Sequence, residues 1–236
     1  MVKQPPQLVL LPGLDGTSDL FRNFLDELPS GYRRSVVSYP LNLSSYADLA
    51  PVVRSAIPDN PAYVMLAESF STPLAIQIIS DHPGHIRGLI LCSGFASSPL
   101  RGVGRQGALL AAPWLVSSQL SEFAVKHFLV GKDASRDLVD QVRRAVQQVP
   151  TKVLIARLKA ALRCDVRDEL RKIQVPILYL QASRDRLVGP ANGREIIAIA
   201  QREESRLVSI DGPHLFLQRQ PGPSVHAITD FLHHDC

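Results

Sequence analysis

Six short apolar, β-branched runs punctuate the chain: residues 7–11 (QLVLL), 35–39 (SVVSY), 63–67 (YVMLA), 88–92 (GLILC), 176–182 (PILYLQA) and 206–211 (RLVSID). Each is nearly continuous in apolar character rather than alternating. Strands buried on both faces read this way, and such strands belong to parallel sheets. Parallel neighbours need a crossover, and amphipathic segments at 19–28, 45–57, 70–81, 191–200 and 224–232 supply helices between the runs. The pattern predicts an α/β chain: a doubly wound, six-stranded parallel sheet with helices on both faces.

Residues 98–165 break the alternation. They show helical periodicity without a strand signal, over far more than the usual connection of about 2–6 residues. We read them as a helical cap inserted after the fourth strand, with 1–97 and 166–236 forming the core. The insertion carries a net charge of +6 and the remainder −2.

Composition narrows the class. Hydrophobic residues make up 45% of the 236 and charged residues 20%, so a large core is available and disorder is excluded as the dominant state. A net charge of +4 is too mild a bias to point to nucleic acid. Cys92, Cys164 and Cys236 are an odd count without motif spacing, which excludes a disulfide framework and fits a reducing compartment. The opening MVKQPPQ does not read as a signal peptide, and no run approaches the roughly 18–20 apolar residues of a membrane span. A cytoplasmic location without stable membrane anchoring is expected.

In open parallel sheets ligands bind beyond the carboxyl ends of the strands. After the third run stands Ala67-Glu68-Ser69-Phe70-Ser71, leading into a helix. A nucleophile elbow turns sharply from strand to helix, so the positions two before and two after its nucleophile must be small. Ser69 is the only serine with Gly, Ala or Ser at both of those positions. A serine capping a helix N-terminus fits the segment equally well.

After the first run comes Pro12-Gly13-Leu14-Asp15-Gly16-Thr17, either a simple turn or an oxyanion loop. In the second case the amides of Leu14 and Phe70 are the donors. After the fifth run Asp185 sits where a carboxylate can orient a histidine, while the segment after the fourth run, Ser93-Gly94-Phe95-Ala96, holds no carboxylate. Asp165 is a second-choice acid, more simply read as capping a helix at 166–173. His214 is the only histidine at the carboxyl end of a strand run, and none of the others offers metal-ligand spacing with a plausible second shell, so no metal is expected. Four weak signals at the proper ends of one sheet, in the order nucleophile, acid, base, make a specific pattern.

Those residues resemble the α/β-hydrolase superfamily over essentially the whole chain. The match lies in LPGLDGT, AESFS, ASRDRLV and DGPHLFLQRQP. It is similar to small bacterial carboxylesterases related to pimeloyl-ester hydrolases, which carry a helical cap at the same point. The resemblance implies Ser69 as nucleophile, Asp185 as acid, His214 as base, and Leu14 and Phe70 as oxyanion donors. It also implies a serine hydrolase that cleaves short- to medium-chain carboxylic esters and needs no cofactor. Thioester cleavage or acyl transfer on a carrier-linked substrate is the alternative, and a non-catalytic binding protein of the same fold is a third class.

The sequence departs from the family at Pro12-Gly13, where His-Gly is usual, and at Ala67 and Ser71, where glycines are usual. It opens at what the family would call its third strand, so an all-parallel sheet is expected.

Gly13, Trp114, Leu115, Phe123, Leu187 and Leu215 are candidates for substrate binding. Within the insertion, Leu109, Leu110 and Phe128 join that set, unless these apolar residues simply pack the insertion onto the sheet. Lys126, Lys132, Arg136, Arg143, Arg144, Lys152 and Arg157 form a basic outer face, suited to an anionic substrate, acidic carrier or anionic lipid, or merely solvated. The expected partners are a small-molecule ester and, in a homodimer, a second copy of the chain.

Overall fold

The central strands carry the burial that their apolar runs demand. In a computed structural model of the chain, β1 (Gln7–Leu11), β3 (Tyr63–Glu68), β4 (Ile86–Cys92) and β5 (Ile177–Ala182) are almost wholly buried, whereas β2 (Arg34–Val36) and β6 (Arg206–Ile210) are the exposed edges. The structure describes residues 6–58, 62–100, 102–118 and 121–236, except the side chains at 113 and 115–118. The sheet has six strands in the order β2-β1-β3-β4-β5-β6, every pair parallel, as the run pattern predicts.

Alternate residues of each central strand enter two different cores. Val9, Met65, Leu89 and Tyr179 pack on one face under α2 (Tyr46–Ala56), α3 (Ser71–Asp81) and α9 (Pro190–Ile199). Leu8, Val64, Ile90 and Leu178 pack on the other, against α1 (Arg22–Glu27), α10 (Phe216–Arg219) and α11 (Pro221–His234). Two covered faces are the physical reason for the continuous apolar runs.

The edges differ from expectation. The run 35–39 forms a strand only at Arg34–Val36, because the chain then peels away: Val37 still donates to Leu10 O, but Tyr39 donates to Gly16 O in the loop after β1. At β6 exposure alternates, because successive side chains point to opposite faces and the one bearing Leu207 and Ser209 is the more open. The first helical segment starts with a 3₁₀ turn, Asp19–Phe21, before α1.

Within 98–165 the described elements are helices: α4 (Gly102–Ser118), the short α5 (Glu122–Ala124), a π-helical stretch Val125–Val130, α6 (Arg136–Gln147) and α7 (Thr151–Arg163). An antiparallel bridge between Ser97 and Asp165 closes their base, directly before α8 (Arg167–Leu170). Ser135 caps α6 by accepting from Leu138 N, and α6 buries Leu138, Val139, Val142 and Ala145. That stripe packs with Leu20 and Leu215 from the core, so the insertion rests on loops at the carboxyl ends of the strands. Among the described residues, no helix is long and apolar enough to cross a membrane.

Candidate active site

The strand order fixes where a site can form. From β1 the chain runs outward to β2, then returns past β1 to β3, so the loops after β1 and β3 diverge and leave a crevice between them. The Gly13 loop and Ser69 occupy its two sides.

Ser69 has φ +50°, a left-handed conformation that a non-glycine residue adopts at a cost of about 1–2 kcal/mol. The surroundings hold it there. Its N–H donates to Cys92 O (2.8 Å), and its carbonyl accepts from Thr72 N (3.0 Å) and Thr72 Oγ1 (2.8 Å). Ser71, two residues on, is wholly buried and donates to Pro12 O, while Tyr39 OH meets its Oγ at 2.5 Å. The small side chain therefore also ties the elbow to the loop after β1. Phe70 stacks on Tyr46 with ring centroids 4.9 Å apart, and Tyr46 OH donates to Phe70 O (3.0 Å).

His214 and Asp185 converge on Ser69. Ser69 Oγ lies 2.9 Å from His214 Nε2, and His214 Nδ1 lies 2.8 Å from Asp185 Oδ2. With the neutral ring's proton on Nδ1, the imidazole donates to Asp185 and accepts from the serine hydroxyl. Asp185 Oδ1 accepts from Leu187 N (2.8 Å) and Val188 N (2.9 Å), which fixes the carboxylate from behind. Burial pushes the Asp185 carboxyl up, but the His214 ring and these hydrogen bonds outweigh it, and its pKa lies below the usual carboxylate value. For His214 burial acts downward, yet the Asp185 charge and hydrogen bond, aided by Glu68, carry the net shift upward. Each partner thus favours the charged form of the other.

Three supports were not legible in the sequence. Ser93, with φ +45°, donates to His214 O (3.1 Å) and so anchors the histidine's own backbone. Glu68, on the strand side of Ser69, is buried and accepts from Gln218 Nε2 (3.1 Å). Burial pushes its carboxyl up to about 7, despite the opposing effects of Gln218 and His214.

The third support corrects an expectation. Arg157 is not on an outer basic face; it is wholly buried. From α7 it donates to Leu14 O (3.1 Å), Asp15 O (2.8 Å), Leu43 O (3.1 Å) and Pro40 O (3.2 Å), and its guanidinium lies over the Tyr39 ring. The helical pattern places position 157 on the buried side of α7, and four carbonyls solvate the charge there in place of water.

A cavity of about 290 Å³ opens above Ser69 and His214. Gly13, Leu187 and Leu215 line it, as do Leu14 and Phe70, the residues read as oxyanion donors. Trp114 and Phe123 do not: they are 69% and 73% exposed and lie outside the lining. Trp114 shares an outward stripe of α4 with Val103 and Leu110, while Ala108 and Ala112 turn inward, so the bulky residues face solvent and the small ones face the core. Phe128 likewise stays outside the lining. The side chain of Leu115 lies outside the described residues. The apolar wall comes instead from α6 and α7, through Val142, Val146, Leu154 and Leu158. Asp165 is engaged by Arg167, accepting from its side chain (2.8 Å to Nε) and its main-chain N–H (3.3 Å), as expected of a residue at a helix start.

This parallel sheet with a serine elbow at its switch point defines an α/β-hydrolase. The chain belongs to the family described as serine aminopeptidase, S33, whose model matches residues 37–214, and it is an enzyme of the hydrolase type. It is 26% identical, over 98% of this chain and 92% of the relative, to the pimeloyl-[acyl-carrier protein] methyl ester esterase of Vibrio vulnificus. Among solved structures it superposes on the esterase EaEST from Exiguobacterium antarcticum with a TM-score of 0.82 at 17% identity, covering 97% of this chain and 92% of that one. The hydrolase olei00960 from Oleispira antarctica gives 0.81 at 16% identity, covering 97% and 91%.

Proposed function

We propose that this hydrolase is a carboxylesterase for short- to medium-chain esters, with Ser69 as nucleophile, His214 as general base and Asp185 as the carboxylate that orients and charges the imidazole. The observation that carries the reading is the hydroxyl–imidazole–carboxylate relay, 2.9 and 2.8 Å long, at a residue held at φ +50°. His214 takes the proton as Ser69 Oγ attacks the ester carbonyl, and Asp185 stabilises the imidazolium that forms. The amides of Leu14 and Phe70 receive the tetrahedral oxyanion, one such donor contributing about 3–4 kcal/mol. His214 then protonates the departing alcohol, and water hydrolyses the acyl-enzyme with the same base. No cofactor enters this chemistry, and the substrate partner is a small ester.

An aminopeptidase reading, which the family's description invites, fits the charges less well. An aminopeptidase substrate brings an α-ammonium, whereas among the described lining residues the one carboxylate, Asp15, is engaged by Thr17 and the cavity edge carries Arg186. The carrier-linked reading has a specific support. The Vibrio vulnificus relative is named for a methyl ester on an acyl carrier protein, and residues 98–165 here carry a net +6.

The test is turnover of p-nitrophenyl esters by the wild type and by Ser69→Ala. Turnover is expected to vanish in the variant while the circular dichroism spectrum stays the same, and a fluorophosphonate probe is expected to label only the wild type. Retained turnover refutes the assignment. An oxygen ester compared with the matching thioester, with and without an acceptor alcohol, separates hydrolase from thioesterase and acyltransferase.

A further inference from the structure

The peptide that follows His214 is gripped from both sides. The His214 carbonyl and the Leu215 N–H belong to one planar unit, and each end of that unit has its own partner. From the core, Ser93 Oγ at the end of β4 donates to His214 O (3.1 Å). From the insertion, Leu129 O accepts from Leu215 N (2.9 Å). A plane pinned at two atoms fixes the direction in which the chain leaves His214, and with it the Cα that carries the imidazole.

The insertion builds its half of the grip locally. Leu129 stands at the end of the π-helical stretch Val125–Val130, and the last carbonyls of a helix have no donor within it. Gly131 ends the stretch at φ +90° and ψ 153°, a backbone region essentially open to glycine alone. The chain turns there, and Ala134 N donates back to Gly131 O (3.2 Å). A Cβ at Gly131 would lie 3.2 Å from Asp133 Oδ1 and 3.7 Å from Pro213 Cγ, so the turn rests against the residue before His214. Two contacts seat it further. Arg219 of α10 pairs with Asp133 (2.5 Å), and Val125 and Val130 are buried in one cluster with Leu215.

We propose that the turn at 129–131 is a positioning element for the catalytic base: the insertion sets the His214 imidazole through the Leu129 carbonyl, in addition to walling the cavity. Leu129 and Gly131 touch no reacting atom; they act through the peptide that carries the histidine. A base serves catalysis only when it is held at the nucleophile, and a shift of about 1 Å can cost on the order of a hundredfold. The Ser69–His214 contact of 2.9 Å therefore depends on the insertion being docked as well as on the core.

This role rests on the triad reading, so the experiment keeps the two apart. It compares the wild type with Gly131→Ala, Ser93→Gly, the double variant and Val139→Ala. Gly131→Ala forces the turn out of its backbone region. Ser93→Gly removes the other anchor without strain, since Ser93 stands at φ +45°. Val139→Ala loosens the buried cluster of the insertion and leaves the residues of the turn as they are. Gly131→Ala and Ser93→Gly are each expected to lower kcat about 10- to 100-fold with KM nearly unchanged. Both should slow fluorophosphonate labelling in proportion and shift the low-field proton resonance of the His214–Asp185 hydrogen bond. The double variant is expected to lose less than the product of the two, because both act on one peptide. Val139→Ala should keep wild-type kcat at a temperature where it is folded. In the wild type the Leu215 amide should exchange slowly with solvent, a readout that needs no variant to fold. Full kcat in Gly131→Ala, a change in KM alone, an equal loss in Val139→Ala, fully multiplicative losses or rapid exchange at Leu215 each overturns the positioning role while leaving the triad standing. A wild type that neither cleaves esters nor takes the label overturns both.

Discussion

Arg157 Nη1 holds the carbonyl oxygen of Leu14 at 3.1 Å, so a helix of the insertion sets the peptide whose neighbouring amide is the proposed oxyanion donor. The same guanidinium binds Asp15, Pro40 and Leu43 and thereby joins the loops after β1 and β2. In catalysis by fixed donors, a displacement of about 1 Å can cost on the order of a hundredfold. Arg157→Lys keeps the charge but loses the fork, and kcat is expected to drop roughly 10- to 100-fold with KM nearly unchanged. Arg157→Ala should additionally lose about 3 kcal/mol of stability, because several buried carbonyls are left without donors. Steady-state kinetics and thermal denaturation check both, with added guanidinium expected to restore part of the alanine variant's kcat. A rise in KM at constant kcat would place Arg157 in substrate binding instead.

Glu68 gives the site a second titration beside the histidine. Its carboxyl is pushed up to about 7 by burial, so the unfolded chain ionises first as pH rises from about 4.5 to about 7. The folded state therefore loses stability across that window, by about 3 kcal/mol once the shift is complete. Glu68→Gln abolishes this slope and is expected to be more stable than the wild type above pH 7, relative to their difference at pH 4. It also removes a charge that raises the His214 pKa. The acid limb of kcat/KM, which reports His214 losing its proton to become a base, should move to lower pH. Denaturant titrations at several pH values and a pH–rate profile read the two effects; an acid limb that stays put would show that the Glu68 charge does not reach the imidazole.

The sheet was legible because burial on both faces leaves continuous apolar runs, and the site because Ser69, Asp185 and His214 each stand two or three positions past the end of one of those runs. Charge was harder to read. Arg157 looks like any surface cation in sequence, since only the packed structure shows four main-chain carbonyls converging on one point of α7. Trp114 and Phe123 misled for the converse reason: bulky apolar residues suggest a pocket, but both are exposed, and α4, apolar on both its faces, does not say in sequence which face turns inward. Ser93 was missed because its hydroxyl reaches a backbone atom 121 positions away.

The wall formed by α6 and α7 should set the acyl length. Leu158 lines the cavity from α7, and Leu158→Trp fills space there. Each methylene that no longer finds cover forfeits about 0.8 kcal/mol, about fourfold in kcat/KM. The optimum across a graded ester series is expected to shift to shorter chains, with acetate-length substrates least affected. An unchanged chain-length profile would show that the acyl group lies elsewhere in the cavity.

Gly16 tests whether the loop after β1 must be built as it is. It has φ +73°, and a Cβ there would lie 2.5 Å from Arg157 Nη1 and 2.9 Å from the Tyr39 ring. Its carbonyl also accepts from Tyr39 N at 2.8 Å. Gly16→Ala meets a left-handed backbone and a clash at once, for a destabilisation of about 2 kcal/mol or more. The clash bears on the guanidinium that holds Leu14 O, so activity should fall further than the loss of folded protein explains. Gly31→Ala is the control, since its Cβ would meet nothing within 4 Å. Thermal melts and kcat at a temperature where both variants are folded decide the point. A Gly16→Ala enzyme with wild-type kcat would show that the position of Leu14 does not depend on Arg157.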